Sequence, residues 1–232
     1  MIPAIIFWLI SRYRKNRHVK GRQPNLFSRI RGQRSRLAGI VLLTLLILSS
    51  AKCNSQIRSL NYEIIRNGNK IGSLHFTQMV QAGFNYLHVE SEMKAKFLFS
   101  FVIKVKEEAL YYNDILLRSS VYRQMNGNEK ANKQHQAFNN EYIIQAGKRS
   151  EVVKTYPIRY NMLSLYSREP VDVSKVYSDN FETFIPIEKI DAHKYMVRLP
   201  DGNYNCYNYK DGVLCLVEVY SNLYSATIVL MR

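Results

Sequence analysis

Acidic residues are missing from the first quarter of this 232-residue chain. None precedes Glu63, while ten Lys or Arg lie between Arg12 and Arg36. Setting those ten and Lys52 aside leaves 22 basic residues against 18 acidic, a net of +4 in place of the overall +15. The basic character belongs to the leader, so no nucleic-acid partner is expected for the rest. Cysteine is scarce as well, with only Cys53, Cys206 and Cys215, and no zinc-knuckle spacing among them. The five His residues, at 18, 75, 88, 135 and 193, show no ligand spacing with one another, with Cys or with a carboxylate. The ten glycines form no phosphate-cradling loop, and no GxSxG elbow occurs. These absences point to a chain with no metal, no cofactor and no catalytic grouping.

What is present begins with the leader. Leu37 to Leu48 is a run of twelve residues, apolar apart from Gly39 and the hydroxyl of Thr44. As a helix it would cover roughly 18 Å, short of a hydrocarbon core about 30 Å thick. A basic flank, a short apolar centre and then the small residues Ser49 and Ala51 make the layout of a secretory signal cut after Ala51. The alternative is a retained N-terminal hydrophobic helix that anchors the chain in a membrane. Both keep the Lys and Arg residues cytoplasmic and send the C-terminal part outward, to the periplasm or cell envelope. Residues 1–10, MIPAIIFWLI, are too short to span and leave the basic region long for a signal. A start near Arg31 to Arg36 would shorten it, although no Met lies between Met1 and Met79. Cys53 follows small residues, as a lipidated Cys does, but Lys52 beside it suits a lipoprotein signal peptidase poorly. Its plain reading is an ordinary residue near the mature N-terminus. The organisation expected is a basic extension over 1–36, a signal core or anchor over 37–51, a linker over 52–58 and a β domain over 59–232.

From about Ser59 onward the apolar residues fall two apart, the period of a strand with one buried face. In YEIIRNGNKIGSLHF the pair Asn67-Gly68 tolerates positive φ and predicts a two-residue hairpin that sets Ile64 opposite Ile71. Further strands are expected at Phe84 to Glu90, KFLFSFVIKV, ILLRSSVY, EYIIQAG, KYMVRLP, NYNCYNYK, VLCLVEVY and ATIVLMR. Turn signals every eight to twelve residues favour an all-β sandwich or barrel. The polar stretch Asn126 to Asn140 reads as a long hairpin loop or crossover. One short helix is expected in PIRYNMLSLYSREP, where Met162, Leu165 and Tyr166 form a stripe and Pro170 ends the run.

Candidate site residues are few. Phe97, Phe99 and Phe101 share a strand face with Ile103 and Val105, and read as core or as the lining of a ligand pocket. Carboxylates gather at Glu169, Asp172, Asp179, Glu182 and Glu188. A glycan hydrolase would need two of them facing each other about 5–10 Å apart, one with a raised pKa, which linear spacing does not show. Cys206 and Cys215 flank the Asp211-Gly212 turn. A two-residue loop sets Cys206 opposite Val217 with Cys215 on the diagonal, and a four-residue loop opposes the two cysteines directly. A disulfide and a pair of free buried thiols both remain open. Seventeen Tyr and ten Phe suit either binding rims or the strands of an ordinary β-protein.

The stretches YEIIRNGNKIGSL, SLYSREP, VYSDNFETFIPIEKI and LPDGNYNCYNYKDG, with the ending LYSATIVL, resemble a family of exported bacterial proteins, domain of unknown function sixty-one thirty-four. The likeness covers about residues 60 to 230. A looser similarity runs to a second uncharacterised envelope family that opens with a comparable tyrosine-rich strand and a GxxIG step. The resemblance implies an all-β fold with minor α content: one curved antiparallel sheet, a half-barrel or barrel-like form, with a short helix across its concave face and an apolar cavity between. It brings no catalytic residues and gives Cys206 and Cys215 no site. The function expected is a non-enzymatic envelope protein that takes an apolar or amphipathic ligand, lipid included, or another envelope protein. N-terminal sequencing of the product made in bacterial cells is expected to begin at Lys52. A chain still starting at Met1 would show that the leader is kept.

Overall fold

The computed structural model describes residues 55–96, 100–154, 156–221 and 225–231. The leader, Ala51, Cys53, Phe97 and Phe99 lie outside them, so the expectations placed there are not addressed by the fold. All described residues belong to one compact unit, Cys53–Arg232. Among them no helix is long and apolar enough to cross a membrane.

The Asn-Gly signals do what their backbone freedom allows. Six two-residue turns have positive φ at both residues: Asn67-Gly68, Ala82-Gly83, Asn113-Asp114, Asn126-Gly127, Asn139-Asn140 and Asp211-Gly212. That geometry matches the right-handed twist of the strands it joins. The first eight strands form one meander: β1 (Gln56–Arg66), β2 (Asn69–Gln81), β3 (Phe84–Lys96), β4 (Ser100–Tyr112), β5 (Ile115–Met125), β6 (Asn128–Phe138), β7 (Glu141–Ala146) and β8 (Arg149–Val153). A second meander runs through β9 (Lys175–Ser178), β10 (Thr183–Asp191), β11 (Lys194–Arg198), β12 (Tyr204–Lys210), β13 (Val213–Tyr220) and β14 (Ser225–Leu230). The two join where β1 pairs antiparallel with β14, giving one 14-stranded sheet with β8 and β9 at its edges.

Three expectations need correction. The hairpin at Asn67-Gly68 forms, but a bulge places Ile64 opposite Gly72 instead of Ile71. Gly72 is required there, because a Cβ would lie 2.3 Å from the Glu92 carbonyl oxygen and 2.8 Å from the Met93 Cα. The polar stretch 126–140 is not a loop. It is β6 with a tight turn at each end, and its hydrophobic signal is absent because its outer face is exposed and its inner face carries Lys133 and His135. The presumed linker also ends early, since β1 begins at Gln56.

A flat sheet of 14 strands would hold its edges roughly 60 Å apart. Here Lys133 on β6 reaches Glu182 at 2.7 Å and the Asn180 carbonyl at 2.6 Å, both just past β9. Arg149 on β8 also bonds Glu182. The sheet is therefore curled, and side chains rather than a backbone ladder bring its two ends together. Residues 156–174 lead from β8 to β9, and their middle part, with Ile158, Tyr160, Leu163 and Leu165 buried, passes inside this curl. They contain the one-turn helix α1 (Ser164–Ser167), shorter than the expected stripe: Leu165 and Tyr166 of the helix pack on the core, and Met162 packs on it from the turn before the helix.

This strap splits the core in two. Ile158 and Leu163 pack with Tyr62, Phe76, Leu87, Tyr111, Leu116 and Tyr142. Tyr160 and Leu165 pack with Val176, Tyr195, Tyr207, Tyr209 and Leu214. An irregular segment buried this way has backbone groups that no ladder satisfies. Tyrosine hydroxyls take that role. Tyr142 Oη accepts from Ile158 N (3.2 Å) and donates to Leu116 O (2.7 Å). Tyr111 Oη accepts from Asn161 N (3.1 Å) and donates to its side-chain oxygen (2.9 Å). Tyr209 donates to Leu165 O at 2.8 Å, and Tyr160 to Arg168 O at 2.6 Å. Replacing Tyr111 by Phe removes both bonds and leaves Asn161 N and Oδ1 to Ser164 alone, whose Oγ accepts from Asn161 N (3.4 Å) and whose N and Oγ donate to Asn161 Oδ1 (3.2 and 3.1 Å). It is expected to lower unfolding stability by about 1 kcal/mol in urea titrations.

Candidate functional site

Strand register sorts the inner face of β3 to β6 into rows. Met93, Ile103 and Met125 are cross-strand neighbours in one row, and Val105 with Arg123 in the next. Beyond them come Glu107, Val121 and Lys133, and then Ala109, Ser119 and His135. Only after these does the aromatic core around Tyr111 and Leu116 begin. The strap packs at that far end, so the near end, where β4 starts and β5 finishes, is left for something else.

A cleft of about 730 Å³ opens there, within the range of roughly 300–1,000 Å³ usual for small-molecule sites. One wall is Met93, Phe101, Ile103, Val105 and Met125, and the facing wall is Phe181, Leu199, Val219 and Tyr220. Tyr220 stacks on Tyr204 at 4.5 Å between ring centroids, stiffening this rim. Of the three phenylalanines singled out in the sequence, Phe101 lines the cleft and the other two lie outside the described residues.

Arg123, Asn180, Asp201, Asn203, Asn205 and Ser221 add polar groups to this lining. Arg123 lines the cleft and is partly buried, with Glu107 diagonal to it across β4 and β5. Burial pushes the Glu107 carboxyl up from 4.5 to about 7, with Arg123 pulling it down and Asp179 adding to the rise. Asp201, also in the lining, is already engaged: its two oxygens accept from Asn203 N (3.1 Å) and Asn203 Nδ2 (2.9 Å).

Ser119, His135 and Asp179 meet deeper in the interior, a grouping the sequence order gave no sign of. All three are buried, at 4%, 1% and 6% exposure. The Ser119 hydroxyl donates to Asp179, not to His135, and Asn161 Nδ2 donates to the other Asp179 oxygen at 2.9 Å. His135 Nδ1 stands 3.5 Å from Asp179. Burial pushes the Asp179 carboxyl up and the His135 imidazole down. The Ser119 proton is directed at the carboxylate and not at the imidazole, so the three do not form a Ser-His-Asp relay, and the trio ties β5, β6 and the strap to the end of β9.

The five loop carboxylates do not converge. Glu182 pairs with Lys133 and Arg149, Glu169 accepts from Tyr195 (2.7 Å) and faces His193 (3.0 Å), and Glu188 pairs with Arg198. Asp172 is exposed and Asp179 is held as above. None of the five lines the cleft. Cys206 and Cys215 are free thiols, and the disulfide between them is not formed. The Asp211-Gly212 turn has the two-residue form, but a bulge at Cys215 moves Cys206 opposite Glu218, and Cys215 Sγ donates to Asn208 O at 3.2 Å.

The raised Glu107 gives a stability test. A carboxyl whose folded pKa exceeds its unfolded value stabilises the fold below the unfolded pKa and ceases to do so as pH rises through the folded one. The window here runs from 4.5 to about 7. Relative to the wild type, Glu107→Gln is expected to gain about 2 kcal/mol between about pH 5 and pH 8 in urea unfolding. Equal differences at both pH values would remove Glu107 from the interior electrostatics.

No curated protein matches the chain. Among solved structures it is similar to a protein from Brucella abortus described as a beta-barrel-like protein of domain of unknown function DUF1849. That likeness has 8% identity and a TM-score of 0.49, and covers 78% of this chain and 96% of that one. The model of the family described as Domain of unknown function (DUF6134) matches residues 62–231, almost the whole curled sheet with its strap and cleft, and the chain belongs to that family.

Proposed function

We propose that this chain is a non-catalytic binding protein of the cell envelope that holds an apolar or amphipathic molecule in the inner cleft. The observation that carries this reading is the cleft itself. Its walls are mostly apolar side chains from both meanders, and the strap packs at the other end of the inner face. A cleft of this size with mostly apolar side chains in its lining suits a hydrocarbon chain, which gains dispersion contacts against them. The leader supports the envelope address, because a basic flank and a short apolar run are what export requires.

The test is native mass spectrometry of the protein made in bacterial cells, purified in the processed form the cells yield and without detergent. A co-purifying lipid or other amphiphile is expected. Ile103→Trp, which fills the cleft from one wall, is expected to reduce the occupied fraction about tenfold or more, with circular dichroism unchanged. An empty wild-type protein, or equal occupancy in the variant, would count against the cleft as the binding site.

A further inference from the structure

We propose that the end of the curled sheet opposite the cleft docks on the surface of a lipid bilayer through the outer face of the first meander. This goes beyond the reading of the cleft and uses none of its residues.

The outer face changes character along the strands. Near that end, Ile57, Met79, Tyr86 and Leu110 are cross-strand neighbours on β1 to β4, and Ile143 and Val152 continue the row on β7 and β8. Arg118 and Gln136, on β5 and β6, are the only interruptions. Two residues further along each strand the next row reads Thr77, His88, Glu108, Ser120, Gln134 and Gln145, with no apolar member. Past the apolar row, at the turns themselves, stand Phe84, Tyr112 and Phe138, exposed by 43%, 42% and 58%. Phe84 and Tyr112 pack ring on ring at 4.7 Å, across the Ala82-Gly83 and Asn113-Asp114 turns. The turns at the other end of this meander are Asn67-Gly68, Asn126-Gly127 and Gly147-Lys148, and no exposed large apolar side chain among the described residues lies at them.

A change from apolar to polar at one level on so many strands is what a planar interface requires, whereas a protein partner covers a patch with a polar rim. One row and its turn tips span about 7–10 Å of strand, the depth to which interfacial segments enter the head-group boundary. Tyr86 and Tyr112 suit that boundary with a ring and a hydroxyl, and the long stem of Arg118 lets its guanidinium reach head groups. The second meander's turns at this end carry the exposed Asp191, Lys210 and Asp211, so the molecule leans on the first meander. The chain also enters the fold here. β1 begins at Gln56, and the seven residues between it and Leu48, the last of the apolar leader run, reach no more than about 28 Å. A leader that is kept holds this end on the bilayer, and one that is cut releases it there.

Trp8 is the one tryptophan of the chain. The experiment takes the protein as bacterial cells yield it, with Trp8→Phe, and adds it to vesicles of phosphatidylethanolamine and phosphatidylglycerol. A single new tryptophan is read each time: Phe84→Trp or Phe138→Trp at this end, Lys148→Trp at the other. Emission from the first two is expected to shift to the blue and to be quenched by brominated lipid, with the Lys148→Trp signal unchanged. This contrast decides the matter for a chain with or without its leader. In the processed chain, Phe138→Ser is expected to lower vesicle partitioning about tenfold, with circular dichroism unchanged. Equal response at both ends, or none at this end, would overturn the proposal, as would unchanged partitioning of Phe138→Ser. So would a blue shift without vesicles that grows with protein concentration, which assigns this end to a second copy of the chain.

Discussion

Hiding an irregular stretch of backbone inside a β-sheet is the constraint around which this molecule is arranged. The link from β8 to β9 must travel from one edge of the sheet to the other, and it does so through the interior. Peptide groups there cannot be solvated and are not part of the main ladder, so each needs a local partner. Part of the need is met by β9 itself, whose Tyr177 N donates to Tyr160 O and whose carbonyl accepts from Met162 N. The rest falls to tyrosine hydroxyls, which bring a large apolar ring and a polar tip to the same place. The high tyrosine content, open between binding rims and ordinary strand preference when read from composition, has in good part this structural origin.

The strap also accounts for where the cleft lies. It packs on Tyr111, Leu116 and Tyr142, at one end of the inner face, and its ties to Asp179 hold β9 against β5 and β6. Between the filled end and the open end runs a belt of polar and charged rows, Glu107, Lys133, Ser119 and His135. Lys133 and His135 in that belt face acids from beyond β9, so the belt is the seam that holds the curl shut. Arg123 stands one row nearer the cleft, diagonal to Glu107 of the belt, whose carboxyl it pulls down against the effect of burial.

Much of the local structure was legible in the sequence because local chemistry dictates it. Asn67-Gly68 and Asp211-Gly212 form tight turns since Asn, Asp and Gly accept positive φ, and the apolar Leu165 and Tyr166 ahead of Pro170 mark the place of the short helix. Errors came where a long-range partner overrides a local rule. The bulges at Ile71 and Cys215 each shift a register by one residue, and no local signal announces them. The strand β6 reads as loop because its inward Lys133 and His135 face Glu182 and Asp179, which come some 45 residues later in the chain. Of the candidate site, the face of Phe101, Ile103 and Val105 was visible as alternation. Arg123 was not, because a charged residue on a strand gives no sign of which way it is turned.

By itself the sequence determined the class of the fold, the turns, the short helix and the charge separation between leader and remainder, all of which follow from periodicity and composition within a few residues. The curl of the sheet, the burial of the strap, the joining of Ser119, His135 and Asp179, and the apolar cleft beside Arg123 were decided only in the tertiary structure. Each depends on side chains from distant strands meeting across the interior, and that meeting is set by register and curvature summed over 14 strands, which no local window of residues contains.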